Sequence, residues 1–126
     1  TITASILGVF RLFIDPDLFD PRLDFAMRGW ALGDGSVRRA LDTADDARLA
    51  ALAAMFARHG YPAEEAETRA RVLYWMQVGY YSLDLREPLE SRLARVPSYL
   101  LALTGQAGTA EEITAFTEAA RAIRRR

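Results

Sequence analysis

The stretch AEEAETRARVLYWMQVGYYSL, residues 63–83, decides the fold. It reads as part of one helix running from Ala63 to Leu85, and its character changes halfway along. The first half alternates charge with alanine. The second half, Val72 to Leu83, is apolar on every face, with one Gln and one Gly inside it. A helix on the surface of a small domain needs a single apolar stripe facing the core. A helix that is apolar all round must be covered on all sides. A chain of 126 residues covers one side of such a helix, so the other side points to a second copy or a bound ligand. A central helix of a monomeric bundle, ringed by the other five, is the alternative.

Working outward, the rest of the chain reads as helix throughout, six in all and no strand. The first spans residues 2–14 and stops before Asp15-Pro16. Asp20-Pro21 opens the second, with Asp at the N-cap and Pro at the first helical position. Leu23, Met27 and Trp30 form its apolar stripe, and Gly33 and Gly35 break it. Ser36 or Asp34 caps the third helix, residues 37–59. Its buried stripe is Val37, Leu41, Ala44, Leu49, Leu52 and Phe56, and Asp42, Asp45 and Asp46 face outward. Gly60 suits the position just past its end. Pro62 begins the fourth, with Glu64 and Glu65 near the positive end of its dipole. The fifth runs from Leu89 to Leu103, with a Leu89-Leu93-Val96-Leu100-Leu103 seam suited to side-by-side helix packing and Pro97 inside it as a kink. Thr109-Ala-Glu-Glu112 is a capping box that starts the last helix.

Composition narrows function. With 51% hydrophobic residues, this is one globular domain with a real core. The net charge is −1, so there is no basic field of the kind nucleic acid requires. There is no cysteine and one histidine, His59. Thiolate metal sites, disulfides and cysteine nucleophiles are excluded. No clustered acid–base set suggests an enzyme, and neither a metal nor a cofactor is expected. The pairs Asp45-Asp46 and Glu64-Glu65 read as solvated faces. The basic tail Arg121, Arg124, Arg125 and Arg126 reads as cations complementing a helix C-terminus. Thr1–Ile14 is apolar but lacks the basic leader of a signal peptide and is too short to span a bilayer. The expected location is cytoplasmic, with no membrane partner. Helical spacing is already under way at Ile2, so the chain reads as a piece of something longer.

Aromatic and sulfur side chains with a few polar groups among them are the usual lining of a ligand pocket. The candidates are Phe10, Phe13, Met27, Trp30, Phe56, Tyr74, Gln77 and Tyr81; ordinary core packing is the alternative for each. The candidate dimer interface is Val72, Trp75, Met76, Gly79 and Leu83 on the fourth helix with Leu93, Val96 and Leu100 on the fifth. Gly79 would let a neighbouring backbone approach closely.

Three segments together resemble the C-terminal domain of TetR/AcrR-type bacterial transcriptional regulators. They are Arg28-x-Trp30-Ala31 followed by VRRAL (37–41), the D-x-R-L…F…G-Y stretch from Asp46 to Tyr61, and the EAETRARVLY…GYY stretch from Glu65 to Tyr81. The resemblance covers Leu23 to Tyr81 and is a pattern, not one diagnostic motif. It implies an all-α domain that homodimerises through a four-helix bundle built from Ala63–Leu85, Leu89–Leu103 and their counterparts. It also implies a pocket for a lipophilic or aromatic effector that allosterically controls DNA binding. In that family DNA is read by an N-terminal helix-turn-helix domain, and nothing in this chain resembles one. DNA contact would therefore belong to residues outside it. A stand-alone helical interaction or small-molecule-binding module, with no DNA partner, is the other reading.

Overall fold

The computed structural model describes residues 1–83 and 85–125, and the described residues contain six helices and no strand. They are α1 (Ile2–Ile14), α2 (Pro21–Ala31), α3 (Gly35–Arg58), α4 (Ala63–Ser82), α5 (Leu89–Thr104) and α6 (Ala110–Arg124). The all-α class and all six helices agree with the sequence reading, with ends displaced by a few residues.

Local chemistry sets the starts and stops. The Asp20 carboxylate accepts hydrogen bonds from the backbone N–H of Arg22 and Leu23, and Pro21 takes the first helical position. Of the two capping candidates for α3 it is Asp34 that acts, accepting from the N–H of Ser36 and Val37. Helix α5 ends at Gly105, whose φ of 76° lies in the left-handed region; Gly60, at φ 91°, follows the end of α3. Side chains with a Cβ are disfavoured there. Pro97 is accommodated within α5.

The helices sort into two units, Thr1–Phe19 with Arg86–Arg126, and Asp20–Leu85. In the first, α1 packs on α5 and α6. Ile2, Ile6, Leu7 and Phe10 of α1, Leu93, Val96, Leu100 and Leu103 of α5, and Phe116 and Ala120 of α6 are its buried apolar residues. The Phe10 and Phe116 rings meet edge to face at 6.4 Å. Thr109 caps α6 as expected, accepting from the N–H of Glu112. The Glu112 carboxylate reaches across to α1, accepting from the hydroxyls of Thr3 at 2.6 Å and Thr1 at 3.1 Å. These bonds, Thr3 foremost, hold the Glu112 carboxyl below its ordinary pKa. Arg121 donates two hydrogen bonds to Glu90, so one arginine of the basic tail joins α6 to α5. Arg124 and Arg125 are exposed, and Arg126 lies outside the described residues.

In the second unit, α3 lies along α4, and α2 packs on both. Val37, Met55, Phe56, Ala66, Ala70, Leu73 and Tyr74 are buried. Tyr61 stands edge-on to Phe56 at 5.4 Å, with the Arg69 guanidinium 5.1 Å from its ring centre. Two of the three residues of the expected α2 stripe do not face this core. Leu23 and Trp30 are 61% and 59% exposed, and Ala31 is the only buried residue of the helix.

Substituting Gly105 by Ala forces a Cβ into the left-handed region. It is expected to destabilise the protein by about 1 kcal/mol, measured as a lowered urea midpoint, whereas Gly8→Ala, in open space in mid-α1, is expected to leave stability level or raised.

Candidate functional site

The inward face of α2 is polar. Asp24, Met27, Arg28 and Ala31, at the i, i+3, i+4, i+7 spacing of one helix face, are its buried or half-buried residues beyond Pro21. Arg28 is the centre of that face. Its Nε donates to Asp24 Oδ2 at 2.9 Å within the helix. Its Nη1 and Nη2 donate to Asp45 Oδ2 and Oδ1 on α3, at 3.0 and 2.9 Å. That is the paired fork-on-fork geometry in which a guanidinium holds a carboxylate best. From α4 the Tyr74 hydroxyl donates to Asp45 Oδ1 at 2.5 Å. In turn Tyr74 accepts from Arg48 Nη1 at 3.1 Å. Two carboxylates, two guanidiniums and one phenol thus form a charge-balanced cluster that joins α2, α3 and α4.

Burial decides the electrostatics. Asp45 is 5% exposed and Tyr74 2%. Burial alone would raise the Asp45 carboxyl, but hydrogen bonds from Arg28 and Tyr74 and the nearby charges of Arg28 and Arg48 outweigh it and hold the group below its ordinary pKa. The Asp45 hydrogen bond, helped by Asp24 and opposed by burial, pushes the Arg28 guanidinium upward. Burial, then the bond to Asp45, raises the Tyr74 phenol, with Arg48 opposing. Tyr74 therefore stays protonated at neutral pH and acts as a donor. The work this cluster does is positional: it fixes three helices against one another.

This arrangement corrects two sequence expectations. Asp45 is not on a solvated face; only Asp46 of that pair is exposed. The signal was present, since Asp45 falls four residues after Leu41 and seven before Leu52, inside the apolar stripe of α3. Likewise α2 is turned by about one residue position, roughly 100°, from the orientation its apolar pattern favours. Removing one partner of a buried ion pair costs about 3–5 kcal/mol. Burying Leu23 and Trp30 instead would contribute about 1.5–3 kcal/mol each. The two orientations are close in energy by that reckoning, and here the ion pair prevails.

The eight candidate ligand residues are distributed over both units. In the first unit, Phe10 is buried against Phe116, and Phe13 is half-buried, edge-on to Phe19 at 4.9 Å. In the second, Phe56 and Tyr74 are fully buried, Gln77 is buried, and Met27 and Tyr81 are half-buried. Trp30 is exposed. None of the eight lines the groove of about 450 Å³ between α3 and α4, whose walls are Leu49, Ala50, Ala53, Ala54, Ala57, Ala63 and Ala66, with Asp46, Glu67 and Arg71.

The candidate interface residues divide more sharply. Val72, Trp75, Met76 and Gly79 lie on one side of α4, at i, i+3, i+4 and i+7, and Leu83, the residue that caps its end, continues the line; Met76 and Gly79 are half-buried. Val72, Trp75 and Leu83 are 55%, 42% and 72% exposed, and a Cβ added at Gly79 would meet nothing within 4 Å. The opposite side, Ala66, Ala70, Leu73, Tyr74 and Gln77, is buried. On α5 the reading changes: Leu93, Val96 and Leu100 are 8%, 6% and 0% exposed, packed inside the first unit. A second copy would reach them only if that unit opened. The exposed large apolar residue of α5 is Leu101.

Comparison with family models, with curated proteins and with solved structures gives no match to this chain. Among the described residues no group of three or more His, Cys, Asp and Glu side chains is placed to hold a metal ion, and no helix is long and apolar enough to cross a membrane.

Asp45→Asn is expected to destabilise the protein by about 3 kcal/mol or more, whereas Asp46→Asn, one residue away, should change stability by less than about 0.5 kcal/mol; urea unfolding measures both. The sign of the pH effect follows from the lowered Asp45 pKa. Its stabilisation is present in full above the unfolded carboxyl value of about 4 and is lost as pH falls through the lower folded value. The Asn variant should therefore lose part of the acid-side decline in stability seen in the parent.

Proposed function

We propose that this chain is the effector-sensing and homodimerisation domain of a TetR-like transcriptional regulator acting as a repressor. The observation that carries this reading is the two-faced α4. One side is the buried wall of its unit, and the other leaves Val72, Trp75 and Leu83 in water. Apolar side chains exposed in line along one helix mark a surface that meets a partner. A second copy brings the same surface, and a twofold contact needs a patch complementary to itself. Trp75 and Leu83 stand one turn to either side of Gly79. An antiparallel α4 of the second copy, crossing at Gly79, would set Trp75 of one copy against Leu83 of the other. Leu101 is the exposed large apolar residue of α5, a helix that the resemblance assigns to the same bundle.

In this reading the effector is a lipophilic or aromatic small molecule bound among aromatic side chains, and no cofactor takes part. The effector shifts the dimer between two states that it binds with different affinity. DNA is read by a helix-turn-helix segment N-terminal to this chain in the longer protein, and the spacing of two such heads is the output. The Leu23–Tyr81 resemblance supports the family; the α4 face supports the dimer.

Sedimentation or light-scattering mass tests the dimer. The chain is expected to run as a dimer and the Gly79→Arg variant as a folded monomer; a monomeric parent, or an intact Gly79→Arg dimer, would contradict it. A thermal-shift screen of lipophilic aromatic compounds tests the sensing half. Binders should raise Tm in proportion to the logarithm of their concentration, and a screen without any would count against it.

A further inference from the structure

We infer that α2 is a two-position helix, held in its polar-inward position by the Arg28–Asp45 pair and able to roll into an apolar-inward one. This does not depend on the family reading. Helix α2 carries two faces that compete for the same seat. The occupied face, Asp24, Met27, Arg28 and Ala31, is joined to α3 through the Asp45 carboxylate. The competing face, Leu23, Met27 and Trp30, has the spacing of an ordinary core stripe and is turned outward, with Leu23 and Trp30 mostly exposed. Met27 belongs to both, so a roll of about 100° exchanges Arg28 and Asp24 for Leu23 and Trp30 and keeps Met27 at the seat.

The surroundings suit such a movement. Little apolar packing resists it, because Ala31 is the only buried residue of α2. The helix joins α3 through Leu32, Gly33 and Asp34, and a side chain at Gly33 would meet nothing within 4 Å. The anchor is polar, paired and localised. A buried Asp45 left without Arg28 is costly, so the pair works as a catch: intact, it excludes the apolar-inward position, and neutralised, it releases it. Any agent that competes for the Asp45 carboxylate would reverse the polarity of this face of the unit and bring Trp30 in from solvent.

Trp30 reports the movement directly once Trp75 is replaced by Phe. In that background the decisive variant is Arg28→Met with Asp45→Leu, which removes both charges of the interhelix pair together; Asp24, which also pairs with Arg28, is turned outward by the roll. With helical circular dichroism retained, Trp30 emission is expected to shift to shorter wavelength and to lose most of its quenching by acrylamide. Arg28→Met alone should show a smaller shift in the same direction. A folded double variant whose Trp30 stays as quenchable as the parent's would overturn the inference. Loss of helical signal in the double variant would overturn it equally, because the roll requires the α3–α4 pair to survive it.

Discussion

One buried carboxylate organises the second unit. Asp45 sits within the apolar stripe of α3, and a charge in that position has to be matched. The match comes from both neighbours: a forked guanidinium from α2 and a phenol from α4, with Arg48 of α3 itself completing the ring through Tyr74. The orientation of α2 follows from this demand, and so does the outward exposure of Leu23 and Trp30. Tyr74 is committed as well. Its ring fills the core and its hydroxyl serves Asp45, so the side chain that the sequence offers as a pocket residue is a structural strut in this arrangement.

The helices themselves were legible because their signals are local. Asp20-Pro21, Asp34, Gly60, Pro62 and Thr109 punctuate the chain, and each acts through backbone chemistry within a few residues of itself. The two sides of α4 were legible for a related reason. An apolar run that leaves no polar face carries more apolar surface than one small chain is expected to cover, and Leu73 and Val72 fall on the covered and the uncovered side. What was not legible is long-range. That Arg28 would meet a carboxylate seventeen residues away on another helix cannot be read from the spacing of either helix, although the i, i+4 pair Asp24–Arg28 and the misplaced charge at Asp45 are each visible. The α5 seam was recognised as a packing surface, but its spacing does not say whether the partner is the same chain or another. The structure answers that with α1 and α6, which cover Leu93, Val96 and Leu100.

The two units use different adhesives. The first is held mainly by apolar packing of α1, α5 and α6, with Glu112 fastening the start of α6 to the start of α1 through Thr1 and Thr3. The second combines an apolar α3–α4 pair with a polar attachment for α2. Apolar contacts are tolerant of small shifts, whereas a bidentate ion pair is either made or broken. The roll inferred for α2 gives the unit two discrete arrangements, the kind of element on which two-state transitions are built. The exposed side of α4 belongs to the same unit, so a change in how α2 sits occurs on the body that carries the proposed twofold.

The Arg28–Asp45 pair, more than apolar contact, fixes α2 in place. A double-mutant cycle measures this most directly, with Arg28→Met, Asp45→Leu and the double variant compared by urea unfolding in the otherwise unchanged chain. Strong coupling is expected, with each single change costing far more than the double and an interaction energy above about 1.5 kcal/mol. Costs that add to within about 0.5 kcal/mol would show that the pair does not act as a unit and that something else holds α2.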